Sequence, residues 1–335
     1  MDPEELVARA RVVALPMRER FRGIDVREAV LIEGAEGRWA EWSPFTEYDD
    51  AEASVWLGAA LEELATPPSR EVGTVRVNAT VPAIHADAVP ALLARFPGCR
   101  TAKVKVAQPG QSLDDDLARV AAVRDVLGPH GRIRVDANAA WSLDEAERAL
   151  VALARYDLEY AEQPVASIQD LALLRGRLRP LVPIAADESI RRPADPLEVV
   201  RAGAADIVVL KLQPLGGARR ALGIAQHAVA ESDVRVVTSS ALETSVGLAA
   251  AARFARMVDA AFGSDLDHGL GTAALLAADV TAEPLRPAAG AIAVRDVVPD
   301  PELLERYAAP ADRREWWLER LRRCTPTARC RRADP

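Results

Sequence analysis

A chain of 335 residues, half of them hydrophobic, can bury a large core and exceeds the ~250 residues typical of a single barrel domain. Its net charge of -8 and pI near 5.3 exclude a general nucleic-acid or anionic-membrane surface, which needs basic patches, and leave small molecules as the expected partners. The opening "MDPEELVARARVVALP" has no sustained apolar stretch, and Cys99, Cys324 and Cys330 show no zinc spacing, so a cytoplasmic protein with free thiols and no membrane span is expected.

In chain order, residues 7–15 and 26–33 are rich in Val, Leu, Ile and Ala, and "GRWAEWSPF" follows a Gly-containing turn. Together they predict an antiparallel meander. "DDAEASVWLGAALEELA" has acids first and apolar residues at helical spacing, which predicts a helix ending before Pro67 and Pro68 and a first domain over residues 1–72. From "TVRVNATVPAI" onward, apolar runs at about 74–82, 103–106, 132–137, 158–162, 183–186, 205–212, 234–239 and 260–264 alternate with Ala/Leu-rich helical stretches. Eight such units predict an α/β barrel of TIM type over 73–284, with functional residues at the C-terminal ends of its strands. Residues 285–322 are expected to return to the N-terminal domain, and 323–335 to form a disordered tail.

Asp136, Glu162 and Asp187 each end an apolar run, in "RIRVDAN", "LEYAEQP" and "PIAADES", and are spaced 26 and 25 residues apart. One strand, one helix and two short loops take roughly 25 to 30 residues, so this interval places the three acids at equivalent positions on successive parallel strands. Three converging carboxylates repel unless a hard cation lies between them, and an all-oxygen donor set suits Mg²⁺, with Mn²⁺ able to substitute. The plainer alternative is a rim of salt-bridged acids. The interval continues to Lys211, 24 residues after Asp187, and to Ser239, 28 residues after Lys211. Alternation along a strand puts Lys103 and Lys105 on one inward face, as it does Arg134, Asp136 and Asn138, and Tyr160 and Glu162. Glu188 has the opposite parity to Asp187 and is expected to face outward.

The ordered set "KVK", "VDAN", "EQP", "ADES" and "VLKLQPLGG" resembles the enolase superfamily, in its muconate-lactonising subgroup, over nearly the whole chain. The resemblance implies a modified (β/α)7β barrel under an α+β capping domain built from both chain ends, with the loop from Pro16 to Ile24 closing over the active site. It implies removal of a proton α to a carboxylate, with Asp136, Glu162 and Asp187 as metal ligands and Lys105 and Lys211 as catalytic residues. Lys105 matches the position of the proton-abstracting base and Lys211 that of the residue stabilising the anion, while Lys103 supplies supporting charge. Ser239, Ser240, Arg134 and Gly269, beside His268, are candidate contacts to a small-molecule carboxylate substrate. Arg134 has a purely structural alternative, as a partner for barrel acids.

Within the subgroup, "RERFRGI" and "SDLDHGLGTAALLA" most resemble a lyase of menaquinone biosynthesis that eliminates water from a cyclohexadiene carboxylate. A racemase of N-succinylamino acids or a dipeptide epimerase needs the same two lysines on opposite faces, and spacing does not separate these activities. An acid-sugar dehydratase is disfavoured because none of His85, His130, His227 and His268 ends the sixth or seventh strand. A barrel that binds metabolites without catalysis is disfavoured by the complete set of three acids and two lysines.

Overall fold

The computed structural model describes residues 2–67, 72–191 and 195–333. The chain begins with helix α1 (Pro3–Arg9), capped by the Asp2 side chain, so residues 7–9 close a helix and the meander starts at Ala10. Strands β1 (Ala10–Phe21), β2 (Ile24–Glu33) and β3 (Trp39–Trp42) form an antiparallel sheet. Helix α2 (Asp50–Ala65), capped by Asp49, lays Ala53, Trp56, Leu57, Ala60 and Leu64 against it. The stretch from Pro16 to Ile24 is a hairpin and not a free loop, because β1 continues to Phe21 and Phe21 pairs with Ile24 after an irregularity at Pro16.

The expected strand at 74–82 is two elements. β4 (Gly73–Arg76) pairs outside the barrel, and β5 (Ala79–Val81) opens the parallel sheet. The barrel then runs through α3 (Val89–Leu93), β6 (Thr101–Lys105), α4 (Leu113–Leu127), β7 (Arg132–Asp136), α5 (Leu143–Leu153), β8 (Leu158–Glu162), α6 (Ile168–Leu178) and β9 (Ile184–Ala186). It continues through α7 (Glu188–Arg191), α8 (Glu198–Arg201), β10 (Ile207–Lys211), α9 (Ala218–Glu231), β11 (Arg235–Ser239) and α10 (Ser245–Phe262). Reciprocal capping boxes, Ser112 with Asp115 and Ser142 with Glu145, start α4 and α5 and fix where the chain leaves the rim. The seven parallel strands are ordered β11-β10-β9-β8-β7-β6-β5.

The eighth strand expected at 260–264 is instead the end of α10 and the turn after it. Closure falls to residues 267–269. Gly269 N donates to the Thr238 carbonyl at 2.8 Å on one side, and His268 N donates to the Arg76 carbonyl at 2.9 Å on the other. This segment carries no apolar run because its side chains are polar and paired: Asp267 accepts from Thr101 at 2.7 Å, and His268 Nδ1 accepts from Thr238 N at 3.0 Å.

After the barrel, β12 (Ala291–Val294) pairs with β4, and α11 (Pro301–Arg306) leads to α12 (Ala311–Ala333). α12 packs on α2 and α1, and its Trp317 meets Trp42 of β3 edge to face at 5.4 Å. The expectation of disorder from residue 323 is corrected, since the helix continues there and buries Cys324, Thr325 and Ala328; residues 334–335 lie outside the described residues. A polar composition misleads here because only one stripe of the helix needs to be apolar. Among the described residues no helix is long and apolar enough to cross a membrane.

Candidate active site

Register explains how the charged side chains meet. Lys105, Asp136 and Glu162 are Cα partners across β6, β7 and β8, and Lys211 is the partner of Ser239 across β10 and β11. All end their strands at one rim. Beneath them Tyr160, Ala185, Ile207, Val209, Val237 and Leu266 pack into an apolar cluster, with the buried Arg134 guanidinium over the Tyr160 ring at 4.7 Å. Asp136, Glu162 and Asp187 are each at most 1 % exposed.

Each carboxylate is engaged by a lysine. Lys105 Nζ donates to Asp136 Oδ2 at 2.5 Å, Lys103 Nζ to both Glu162 oxygens at 2.9 and 3.0 Å, and Lys211 Nζ to Asp187 Oδ2 at 2.5 Å. Lys103 also lies 3.3 Å from Asp136. Asp187 is further paired with Arg191 at 3.3 Å, and its backbone N–H is held by Gln163 Oε1 at 3.0 Å. These pairs set the protonation states. Burial works to raise the Asp136 and Asp187 carboxyls, but Lys105 and Lys103 at Asp136, and Lys211 and Arg191 at Asp187, hold both well below the usual carboxylate range. Glu162 goes the other way: burial and the neighbouring Asp136 push it up to about 7, against the pull of Lys103. Burial also lowers Lys105, helped by repulsion from Lys103, whereas Lys103 is raised because Glu162 and Asp136 outweigh its desolvation.

The rim opens into a cleft between the antiparallel sheet and the barrel. Lys105 and Lys211 reach it from opposite sides, with Asn138, Ser239, Ser240 and Gly269 on the barrel wall. Phe21, Arg22, Phe45 and Tyr48 cover it from above. The Lys105 ammonium lies 5.4 Å from the centroid of the Phe21 ring, at the hairpin tip. A charged floor under a half-apolar lid suits a small carboxylate with an apolar body.

The pattern of the family described as "Enolase C-terminal domain-like" matches residues 88–299, and that described as "Enolase N-terminal domain-like" matches residues 12–64. A protein of Mycolicibacterium smegmatis named o-succinylbenzoate synthase is 52% identical over 325 residues, covering 96% of each chain. The chain belongs to the o-succinylbenzoate synthase family of the enolase superfamily. A relative of the same name from Mycobacterium leprae is 50% identical over 96% of this chain and 92% of its own. Among solved structures, the muconate lactonizing enzyme of Pseudomonas fluorescens complexed with muconolactone superposes with TM-score 0.73 at 22% identity, covering 90% of this chain and 98% of that one. The L-Ala-D/L-Glu epimerase of Bacillus subtilis gives 0.71 at 22%, covering 87% and 96%. Both show the superfamily fold, a parallel barrel sheet under an N-terminal capping domain.

Enzymes of the enolase superfamily use a divalent metal. Among the described residues no three His, Cys, Asp or Glu side chains are gathered closely enough to ligate one ion as they stand, and each of the three carboxylates is engaged by an ammonium group. The donor chemistry nevertheless fits a hard cation. Three buried carboxylates stand at the ends of neighbouring strands, and burial together with the charge of Asp136 pushes the Glu162 carboxyl up to about 7. Glu188 Oε2 beside them is buried with no hydrogen-bond partner.

Glu188 corrects an expectation. It turns inward, 8 % exposed, and accepts from Arg191 at 2.8 Å, because the strand ends at Ala186 and a helical turn begins at Glu188, where two-residue alternation no longer applies. Arg134 does not reach the cleft; it is buried lower in the barrel against Glu159, Asn78 and the Asp267 carbonyl. Ser239, Ser240 and Gly269 do line the cleft, and a side chain at Gly269 would strike Ser239 Oγ at 2.5 Å. Strand alternation placed Asn138, whose Oδ1 accepts from Lys105 at 2.5 Å, on the inward face without giving it a role, whereas Arg191 and Tyr48 were not singled out. Arg191 lies one helical turn after Asp187, which was the available signal for it.

Proposed function

We propose that this chain is an o-succinylbenzoate synthase, a hydro-lyase that converts 2-succinyl-6-hydroxy-2,4-cyclohexadiene-1-carboxylate to o-succinylbenzoate by syn elimination of water in cytoplasmic menaquinone biosynthesis. The observation that carries this is the half-identity over nearly full length to proteins of that name, joined to Lys105 and Lys211 facing each other across one cleft. In functional terms residues 1–72 and 285–322 serve as cap and 73–284 as the catalytic barrel.

Lys105 Nζ takes the proton from the carbon bearing the ring carboxylate, and the electron pair passes into that carboxylate as an enediolate. Lys105 then delivers the proton to the departing β-hydroxyl. One water leaves and the ring becomes aromatic, so atoms and charge balance. Lys211 faces the developing negative charge without moving a proton. Lys103, pinned on Glu162 and Asp136, stays charged and keeps Lys105 the easier lysine to discharge. Mg²⁺ held by Asp136, Glu162 and Asp187 would supply divalent charge to the substrate carboxylate. Ser239, Ser240 and the Gly269 backbone receive the substrate's polar ends.

The near-symmetric pairing of Lys105 with Asp136 and Lys211 with Asp187 also suits a racemase, in which each lysine serves one face. Incubation with the cyclohexadiene substrate and Mg²⁺, and in parallel with N-succinylamino acids in D₂O, separates the two. Aromatic product with at most slow α-deuterium exchange is expected. Fast exchange with no aromatic product would replace the lyase by the racemase.

A further inference from the structure

The turn after β11 presents Ser240, Ala241 and Leu242 to the cleft, and Leu242 adopts φ 68, a left-handed conformation that a β-carbon disfavours. Such a turn needs outside support. Within the barrel, Leu242 N donates to Ser240 Oγ at 2.9 Å and Ala241 N to Glu243 at 2.7 Å. Ser240 is also tied to the closing segment, its N–H donating to the Gly269 carbonyl at 3.0 Å and its hydroxyl bonding Thr272 Oγ1 at 2.6 Å. The carbonyls of the turn and the first amides of α10 are held from the capping sheet. Arg27 of β2 donates to the carbonyls of Leu242 at 3.0 Å and Ala241 at 3.3 Å. Glu41 of β3 accepts from Thr244 N at 3.0 Å, Thr244 Oγ1 at 2.6 Å and Gly247 N at 3.0 Å, and from its neighbour Ser43 at 2.6 Å.

Both residues are at most 3 % exposed. A capping-domain carboxylate thus sits on the first amides of the 18-residue helix α10, whose positive end it complements. Residue 247 is glycine for the same reason: a Cβ there would lie 2.9 Å from Glu41 Oε2 and 2.7 Å from Glu243. Stability does not explain the arrangement, since buried ionic clusters are often no more stable than apolar residues of similar volume. Their effect is to fix geometry.

We infer that Arg27 and Glu41 are positioning residues, which hold the Ser240–Gly247 segment from the cap side so that docking of the cap shapes the substrate-binding wall of the cleft. That this wall binds substrate rests on the functional reading above; that the cap holds it does not. Glu41 and Arg27 touch no reacting atom, and the base, its counter-charge and the carboxylates stand on other strands. Loosening the turn therefore weakens substrate binding more than chemistry.

The test is peptide-resolved amide hydrogen exchange on the full chain, together with steady-state kinetics on the cyclohexadiene substrate. In Glu41→Ala, exchange across residues 240–247 should rise about tenfold or more with β6 to β8 unchanged, and KM should rise about tenfold with kcat held within about threefold. Glu41→Gln should restore both readings, because its carbonyl can take the place of Oε2 while its amide donates to Ser43 Oγ. Unchanged exchange at 240–247, a Gln variant as impaired as the Ala variant, or a loss confined to kcat would each overturn the inference. Should Glu41→Ala fail to fold, Gly247→Ala displaces the carboxylate without removing it and must show the same local exchange and KM effect. If the wild-type protein does not turn over the substrate, the functional reading falls, while the exchange measurement still decides whether the cap holds the turn.

Discussion

Lys105 and Lys211 carry the same charge and the same kind of carboxylate partner, yet the proposed elimination uses them differently. Lys105→Ala removes the base and is expected to lower turnover by about 10³-fold or more. Lys211→Ala removes only a counter-charge and is expected to cost about 10²-fold, with some exchange of the α-proton surviving. Exchange in D₂O beside product formation checks the split, and a Lys105→Ala protein that dehydrates efficiently would refute it. Asp136→Asn, Glu162→Gln and Asp187→Asn should each weaken Mg²⁺ binding about tenfold or more in a metal titration with the fold intact. Exhaustive EDTA dialysis should abolish activity and added Mg²⁺ or Mn²⁺ restore it; full activity after dialysis would remove the metal from the mechanism. The rim positions of these five residues were legible in the sequence because strand alternation and the strand-plus-helix interval are rigid rules as far as the strand end. Beyond it the rules stop. Gln163 (φ 38) turns left-handed immediately past its strand, and Glu188 opens a helix, so parity no longer says where a side chain points. Arg134 shows the converse limit: inward parity gives a direction and not a depth, and it lies in the layer below the cleft.

Among the elements, the β1–β2 hairpin is the lid. Its tip places the Phe21 ring against the Lys105 ammonium, while Arg22 stacks on Phe45 at 4.2 Å and donates to the Tyr48 hydroxyl at 3.3 Å. Phe21 is only half-buried and packs at the margin of the main core, so Phe21→Ala should lower unfolding free energy by no more than about 1 to 2 kcal/mol. Loss of the ring admits water to Lys105 and removes an apolar wall, and KM should rise about 3- to 10-fold. Kinetics and chemical denaturation of the same variant distinguish a lid from a structural brace, since a brace would lose stability first. The hairpin's existence was readable from its apolar runs, but its length was not, because Arg18, Glu19 and Arg20 are polar on both faces of a strand end that projects from the sheet. The closing strand was missed for a related reason. Hydrophobic periodicity finds strands that face a core, whereas Asp267 and His268 enter the barrel as paired polar groups, and the apolar run just before them belongs to α10.

For the molecule as a whole, capping sheet and barrel meet across buried ionisable groups, which gives the joint a pH dependence. Glu41 is pushed up to about 7 by burial and by the facing Glu243, against the hydrogen bonds from Ser43 and Thr244 and the charge of Arg27. A carboxyl raised in the folded state holds a proton that the unfolded chain has already released near its ordinary value of 4.5. Its contribution to stability is therefore complete at acid pH, declines as pH rises from about 4.5 to about 7, and is lost above that. Glu41→Gln keeps the shape and cannot titrate. Measured by denaturant unfolding at several pH values, wild type should lose stability relative to Glu41→Gln across this window, by about 3 kcal/mol in total, and the difference should then level off. Glu243, also raised by burial, is present in both proteins, so it cancels except for its coupling to Glu41. Parallel stability curves for the two proteins would mean that Glu41 is ionised throughout, and that the capping sheet holds the α10 end as a charge and not as a shared proton.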